Sequence, residues 1–285
     1  MHYVQTLSFD QTEVTVLTEG IGAIPMEWIL DGVPSTEWRQ AVKTDVEGRL
    51  LIDFNLMHIN RPDASILVDT GFGDYGPSDP MVELSPGATA GLATRGVRPV
   101  DISHVLISHM HSDHVTGATI STGGRRVPAF PNARYYVMHD EWVGAPEQWQ
   151  PAEAVQLQKE VLSHAGVVEL VRGEQEIVSG VAYIPAPGES PGHAIVRVEA
   201  GGEILYYLGD LFHVPAEFSH PEWGPPHRNR KVLTETRKRF LRRFAEENAW
   251  VITTHFHFPG IGKVEPSDKG FRWIDRVPQW SPAYT

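Results

Sequence analysis

The stretch Ser108-His109-Met110-His111-Ser112-Asp113-His114 holds three imidazoles and one carboxylate within seven residues. It follows Val105-Leu106-Ile107, an apolar run that reads as a buried strand. A strand end is a rigid platform, and the loop leaving it can turn its side chains toward one point. Three more segments end in the same chemistry. His193 follows Pro191-Gly192, Asp210 follows Gly209, and His255 follows Thr254. Neutral imidazole and carboxylate are the ligands that zinc and its neighbours take when thiolate is absent. The set His109, His111, Asp113, His114, His193, Asp210 and His255 is too large for one tetrahedral ion. It suits two divalent ions sharing one carboxylate, with the ions about 3.5–4 Å apart.

Composition narrows the remaining classes. The chain has 285 residues and no cysteine, which excludes disulfides, zinc–thiolate sites and thiol catalysis. A metal must therefore be held by His and carboxylate, with zinc first and Mn, Co or Fe as alternatives. The formal net charge of −12 argues against nucleic acid or an anionic membrane as partner, since both are polyanions. No apolar run approaches the roughly 20 residues that span a bilayer. The start, Met1-His2-Tyr3-Val4-Gln5, lacks a basic segment followed by an apolar core, so no signal peptide and a cytoplasmic location are expected.

The elements that must position these residues are read from periodicity and turn residues. Strands are expected over 12–19, with a break at Gly20-Ile21-Gly22, then over 50–59 and 65–68 as a hairpin, and over 105–108, 134–138, 167–171 and 176–184. A further hairpin is expected over 194–199 and 203–208, turned by Gly201-Gly202, and a last strand over 250–253. Helices are expected over 84–95, 139–143, 151–164 with Pro151 at its start, and 232–247. Residues 215–229 carry prolines and read as a surface loop, and the tail 266–285 has little pattern beyond a possible docking of Phe271 to Ile274. Residues 23–49 are irregular but hold Ile24, Met26, Trp28, Ile29 and Leu30, which suggests a lid, a homodimer contact or cover for the core edge. Two mixed sheets packed face to face with helices outside are the simplest layered solution, as one domain over 1–285.

These motifs resemble the metallo-β-lactamase superfamily of hydrolases. The match rests on Asp69-Thr70-Gly71, the His109 to His114 loop, Pro191-Gly192-His193, Gly209-Asp210 and Thr254-His255. The resemblance implies an α/β fold, a four-layer αββα sandwich with the site at one rim. It implies that His109, His111 and His193 bind one metal, that Asp113, His114 and His255 bind the other, and that Asp210 bridges them. Asp69 would orient a ligand imidazole by accepting its hydrogen bond. Asp210 stands where true β-lactamases have Cys or Ser, and His111 stands where flavin-linked di-iron members have a carboxylate.

Within the superfamily, Gly209 to Pro215 and His255 to Gly262 look like the methyl parathion hydrolase group and the quorum-quenching lactonases. Acyl-homoserine lactonases of this kind carry Tyr three residues after the bridging Asp, where this chain has His213. The expected reaction is opening of lactones or cleavage of hydrophobic carboxylic esters through a metal-bridging hydroxide. A phosphotriester or aryl-ester hydrolase is the alternative, and an iron-dependent oxidoreductase a third class. Asp113, Asp210 and His213 are the candidates for catalysis, with His213 placed to stabilise or protonate the leaving group. The expected substrate is small, neutral and hydrophobic, walled by Met26, Trp28, Phe72, Phe212 and Phe258. His257 shares a strand face with His255 and has no assigned role.

Overall fold

Side chains alternate across each strand, and here both faces of both sheets are apolar. On Glu203–Tyr207 and the residue after it, Leu205 and Tyr207 point into one cluster while Tyr206 and Leu208 point into another. On Leu50–Asn60, Met57 and Ile59 face the first of these clusters and Leu56 faces away from it. A sheet buried on both faces must be covered on both, and this dictates four layers.

The computed structural model describes residues 4–76, 82–84, 87–144, 152–225 and 227–276. One sheet runs in the order Val4–Phe9, Thr12–Ile24, Leu50–Asn60, Ser65–Val68, His104–Leu106, Arg134–Met138 and Val168–Val171, with Val82–Leu84 paired to the second strand. The other runs Gln175–Val178, Val181–Pro185, Ala194–Ala200, Glu203–Tyr207, Trp250–Ile252, Ile261–Ser267 and Gly270–Asp275. Between them lies a core built from both, including Val16, Met57, Val68 and Leu106 against Tyr183, Val196, Tyr207 and Ile252. Helices Gly87–Thr94 and Ala152–Ala165 cover the outer face of the first sheet through Leu92, Val155 and Leu162. Helix Arg230–Glu246 covers the second through Leu233, Phe240, Leu241 and Phe244. The αββα sandwich is the architecture observed. Among the described residues, no helix is long and apolar enough to cross a membrane.

Several local expectations need correction. The strand expected to break at Gly20-Ile21-Gly22 continues to Ile24, because the register shifts between Thr18 and Ile21 absorb the glycine as a bulge. The strand expected over 176–184 is two, separated by a turn at Gly180. The weakly patterned tail forms the edge hairpin Ile261–Ser267 and Gly270–Asp275, with Trp273 buried against Phe218 and Phe256. Pro151, residues 85–86 and residues 277–285 lie outside the described residues.

Residues 23–49 contain two short helical turns, Glu27–Leu30 and Ser35–Trp38. Ile24, Met26, Ile29, Leu30 and Trp38 are buried, forming a fourth cluster with Phe54, Phe72, Val214 and Trp223. Trp28 is 48% exposed and does not join it. The segment 215–229, expected on the surface, turns inward. Phe218, Trp223 and Arg228 are all buried, because Pro215–Phe218 forms a tight 3₁₀ turn that drives the chain back over the rim.

The rim near Asp69 is fixed by Glu19. Its carboxylate accepts from Phe72 N at 2.5 Å and from Ala88 N at 3.3 Å. Burial pushes this carboxyl up to about 7, against the pull of those amide donors. The folded chain therefore keeps a proton that the unfolded chain releases near its ordinary value of 4.5. This contribution is whole below the ordinary value and is lost as pH rises through the folded one, a change of roughly 3 kcal/mol. Urea unfolding at about pH 5 and about pH 8 should show Glu19→Gln gaining on the wild type at the higher pH. A stability difference independent of pH would refute the assignment.

Candidate metal centre

Two parallel strand pairs aim at one rim. Val68 pairs with Leu106, so the chain leaves side by side at Asp69 and at the histidine loop. Tyr207 pairs with Ile252, so Asp210 and His255 each lie three residues past a paired position. Val196 pairs antiparallel with Tyr207, which carries His193 back toward Asp210. The register of the second sheet thus delivers three site residues together, and the first sheet delivers the rest.

Asp69 holds the histidine loop. Its backbone is left-handed, with φ of 59°, and its carboxylate accepts from Ser108 N at 2.6 Å and Ser108 Oγ at 2.7 Å. His114 Nδ1 donates to Asp69 Oδ2 at 2.8 Å, leaving Nε2 to face the cluster. Tyr207 Oη, from the other sheet, lies 3.0 Å from the same oxygen. His255 and His193 are oriented in the same manner by backbone carbonyls. His255 Nδ1 donates to Asp53 O and His193 Nδ1 to Ala186 O, each at 3.0 Å. An imidazole whose far nitrogen is tied in this way presents the near one as a metal ligand.

Asp210 is at the centre. Oδ1 lies 3.1 Å from His114 Nε2 and 3.1 Å from His255 Nε2, and Oδ2 lies 3.5 Å from His109 Nε2. Asp113, on the first turn of Ser112–Val115, places Oδ2 at 3.2 Å from His114 Nε2 and 3.5 Å from His255 Nε2. The backbone amide of Asp210 donates to His193 Nε2 at 3.1 Å, so in this structure that nitrogen is taken up by a hydrogen bond. Only glycine fits before Asp210. Gly209 has φ of 51°, and a Cβ there would stand 2.7 Å from His193 Nε2.

The ligand atoms form two groups that share Asp210. One is His109, His111, Glu189 and Asp210; the other is Asp113, His114, Asp210 and His255. Within each group they lie within 4.8 Å of one another. His193 borders the first group, its ring 5.2 Å from that of His109. Nε2 of His109, Nε2 of His114 and Oδ1 of Asp210 are buried without a hydrogen-bond partner. Buried polar atoms are rarely left this way, and atoms of these types turned toward one point fit a divalent cation.

The electrostatics agree. Burial pushes His109 well below its ordinary pKa and His193 down to about 3, so both are neutral. Burial works against charge on Asp210, yet His114, His255 and His109 hold its carboxyl well below the usual range. Burial also lowers His255, but Asp210 outweighs it and brings the group up to about 9. Burial likewise works against charge on His114, but Asp113, Asp210 and Asp69 raise it well above its ordinary value, so the carboxylates hold protons on His114 and His255 that a bound cation would replace.

His213 is buried, its ring parallel to that of His255 with centroids 5.5 Å apart and Nε2 3.5 Å from Asp210 Oδ2. Its amide donates to Glu217 Oε2 at 2.5 Å, and Glu217 is paired with the fully buried Arg237 at 2.9 Å. His257 is exposed, and its Nδ1 lies 3.2 Å from Asp53 Oδ2, away from the cluster. Of the expected pocket residues, Met26 and Phe72 join the apolar cluster that reaches the centre through Phe54, whose ring is 5.5 Å from that of His255. Trp28 faces solvent. Phe212 is fully buried on Phe218 in the core beneath helix Arg230–Glu246, because the turn at 209–211 directs it behind the sheet. Phe258 packs on the core between the sheets.

Sequence reasoning missed Glu189, Arg228, Glu141, Glu217 and Phe54. Glu141 ties two ligand loops together. Oε1 accepts from Met110 N at 2.8 Å, and Oε2 accepts from Ser190 Oγ at 2.6 Å and Gly192 N at 3.0 Å. Its place one turn into the helix after a strand was the only available signal. Glu141→Ala should lower the unfolding free energy of the metal-free protein by on the order of 2–4 kcal/mol, since three buried donors lose their acceptor. Glu141→Gln, which keeps one accepting oxygen, should lose less. A loss below about 0.5 kcal/mol in urea titration would contradict this role.

Comparison with known proteins gives a consistent outcome. A protein from Mycobacterium tuberculosis named "Probable metallo-hydrolase" is 27% identical over 184 residues, 56% of each chain. An N-acyl homoserine lactonase from Bacillus cereus is 28% identical over 116 residues, 39% of each. The chain thus spans about half the length, or less, of the curated relatives it matches. Among solved structures, AidC, a dizinc quorum-quenching lactonase, superposes with a TM-score of 0.83 at 22% identity, covering 97% of this chain and 98% of that one. The hydrolase AbOPH gives 0.82 at 22% identity, covering 98% and 99%. At such identities the likeness establishes the fold. The Metallo-beta-lactamase superfamily profile matches residues 55–255, well over half of the chain. With the sandwich and the rim cluster of His and Asp already in hand, this chain belongs to the metallo-β-lactamase superfamily.

Proposed function

We propose that this protein is a two-metal hydrolase that opens lactones or cleaves hydrophobic carboxylic esters. The observation that carries this reading is Asp210, one carboxylate shared by two groups of ligand atoms. His109, His111, His193 and Asp210 would hold one ion, and Asp113, His114, His255 and Asp210 the other. Bound there, two divalent cations, zinc foremost, supply the Lewis acidity that activates water and polarises a substrate carbonyl.

The chain's own residues do the rest. Asp69, the Asp53 carbonyl and the Ala186 carbonyl hold three imidazoles in their working orientation before any ion arrives, so little reorganisation is needed. His213 is stacked beside His255 with Nε2 turned to the centre, which suits a donor to the departing alkoxide. Phe54 and Phe72, edge to face with centroids 5.0 Å apart, bring the apolar cluster up to His255. An apolar flank beside a polar centre favours a neutral hydrophobic substrate over a charged one. The similarity to N-acyl homoserine lactonases supports the lactone reading. His213 in place of tyrosine keeps a phosphotriester or aryl-ester substrate as the second reading.

The test is a hydrolysis screen of the metal-loaded protein with γ- and δ-lactones, aryl esters, a phosphotriester and a thioester. Lactones or carboxylic esters are expected to give the highest kcat/KM; a phosphotriester in first place selects the second reading. Oxygen consumption without hydrolysis of any substrate would overturn both. Asp210→Asn should lose at least one metal equivalent by elemental analysis and at least about 100-fold in turnover. Retention of both metals with wild-type turnover would refute the two-metal centre.

A further inference from the structure

The loop Ala186 to His193 carries one residue that no ligand motif announced. Glu189 is 2% exposed, and its carboxylate belongs to the same group as His109, His111 and Asp210. Oε1 lies 3.9 Å from His111 Nδ1 and 3.9 Å from His213 Nε2. Oε1 is paired with the buried guanidinium of Arg228, and Oε2 has no hydrogen-bond partner among the described residues.

The loop allows Glu189 no other direction. Gly188, at φ of 136°, lies against helix Arg230–Glu246 so closely that a Cβ would stand 2.4 Å from Leu233 Cα. On the other side, Ser190 Oγ donates to Glu141 at 2.6 Å. Both neighbours are anchored, and the side chain between them points into the centre. A buried carboxylate balanced by one arginine is an expensive arrangement for stability alone. A carboxylate that faces a cation on one side and is held by an outer donor on the other is the usual arrangement of a ligating one.

We propose that Glu189 is an additional metal ligand on the His109–His111 side of the centre, held in place by Arg228. This rests on the two-metal reading above. It gives that side His109, His111, His193, Asp210 and Glu189, three imidazoles and two carboxylates, while the other side keeps His114, His255, Asp113 and Asp210. Five or more mixed nitrogen and oxygen donors suit six-coordinate Mn, Fe or Co better than four-coordinate zinc. The two sides therefore differ in metal preference, the Glu189 side taking the harder ion.

The experiment is titration of the metal-free protein with Co²⁺, read by visible absorption and by elemental analysis. The wild type is expected to bind two equivalents, one with the weak absorption of high coordination number. In Glu189→Gln that equivalent should bind at least about tenfold more weakly and absorb more strongly, with the other unchanged. Should the stranded Arg228 charge prevent Glu189→Gln from folding, the double variant Glu189→Gln/Arg228→Gln removes both charges and should show the same shift. Wild-type affinities and spectra in the folded variant would overturn the proposal. A wild type that binds only one equivalent would instead defeat the two-metal reading, and the effect of Glu189→Gln on that equivalent would still decide whether Glu189 is a ligand.

Discussion

Asp210 is the charge around which the rim is built. A carboxylate this buried is costly unless other groups compensate it. Its oxygens lie 3.1–3.5 Å from His114, His255 and His109. These partners come from both sheets, since the histidine loop leaves the first and Asp210 and His255 leave the second. Compensating one carboxylate therefore pins the open ends of the two sheets to each other. Tyr207 adds to this from below, reaching across the sandwich to Asp69 and to the Asn55 carbonyl at 2.9 Å.

The loops that converge there are held by other buried carboxylates. Asp69 caps the histidine loop, Glu141 joins that loop to the one ending in His193, Glu217 fixes the turn at His213, and Glu19 fixes the turn after Asp69. In each case a carboxylate accepts from backbone amides of an irregular segment. Such segments cannot satisfy their own donors, and an unsatisfied buried amide costs about as much as the bond it lacks. Part of the acidic excess of the chain is thus internal. It is structural as well as metal-binding, and the irregular rim can be rigid without secondary structure.

Much of the fold was legible because periodicity reports which faces are buried. The hairpins Leu50–Asn60 with Ser65–Val68 and Ala194–Ala200 with Glu203–Tyr207 stand where alternation and turn glycines put them. The tail hairpin and the inward course of 215–229 were not legible. Trp273 and Trp223 become buried only against partners from distant segments, Phe256 in one case and Ile24 and Met26 in the other. Phe212 misled for a related reason. Adjacency to Asp210 along the chain does not set the direction of its side chain, and it packs on Phe218 behind the sheet.

By itself, the sequence determined the donor types and their attachment to strand ends. Histidine and aspartate at such spacing have few other physical uses, so His109, His111, Asp113, His114, His193, Asp210 and His255 could be named together. The resemblance implied a division into two groups about Asp210, but only the tertiary structure supplied the distances, because strand register across two sheets sets them, and it left His193 at the border of the first group. The tertiary structure alone brought in Glu189, Arg228 and Glu141. A single glutamate in a proline-glycine loop, or an arginine in coil, carries no periodicity and no motif. Its surroundings exist only once chain segments far apart in sequence have closed around it.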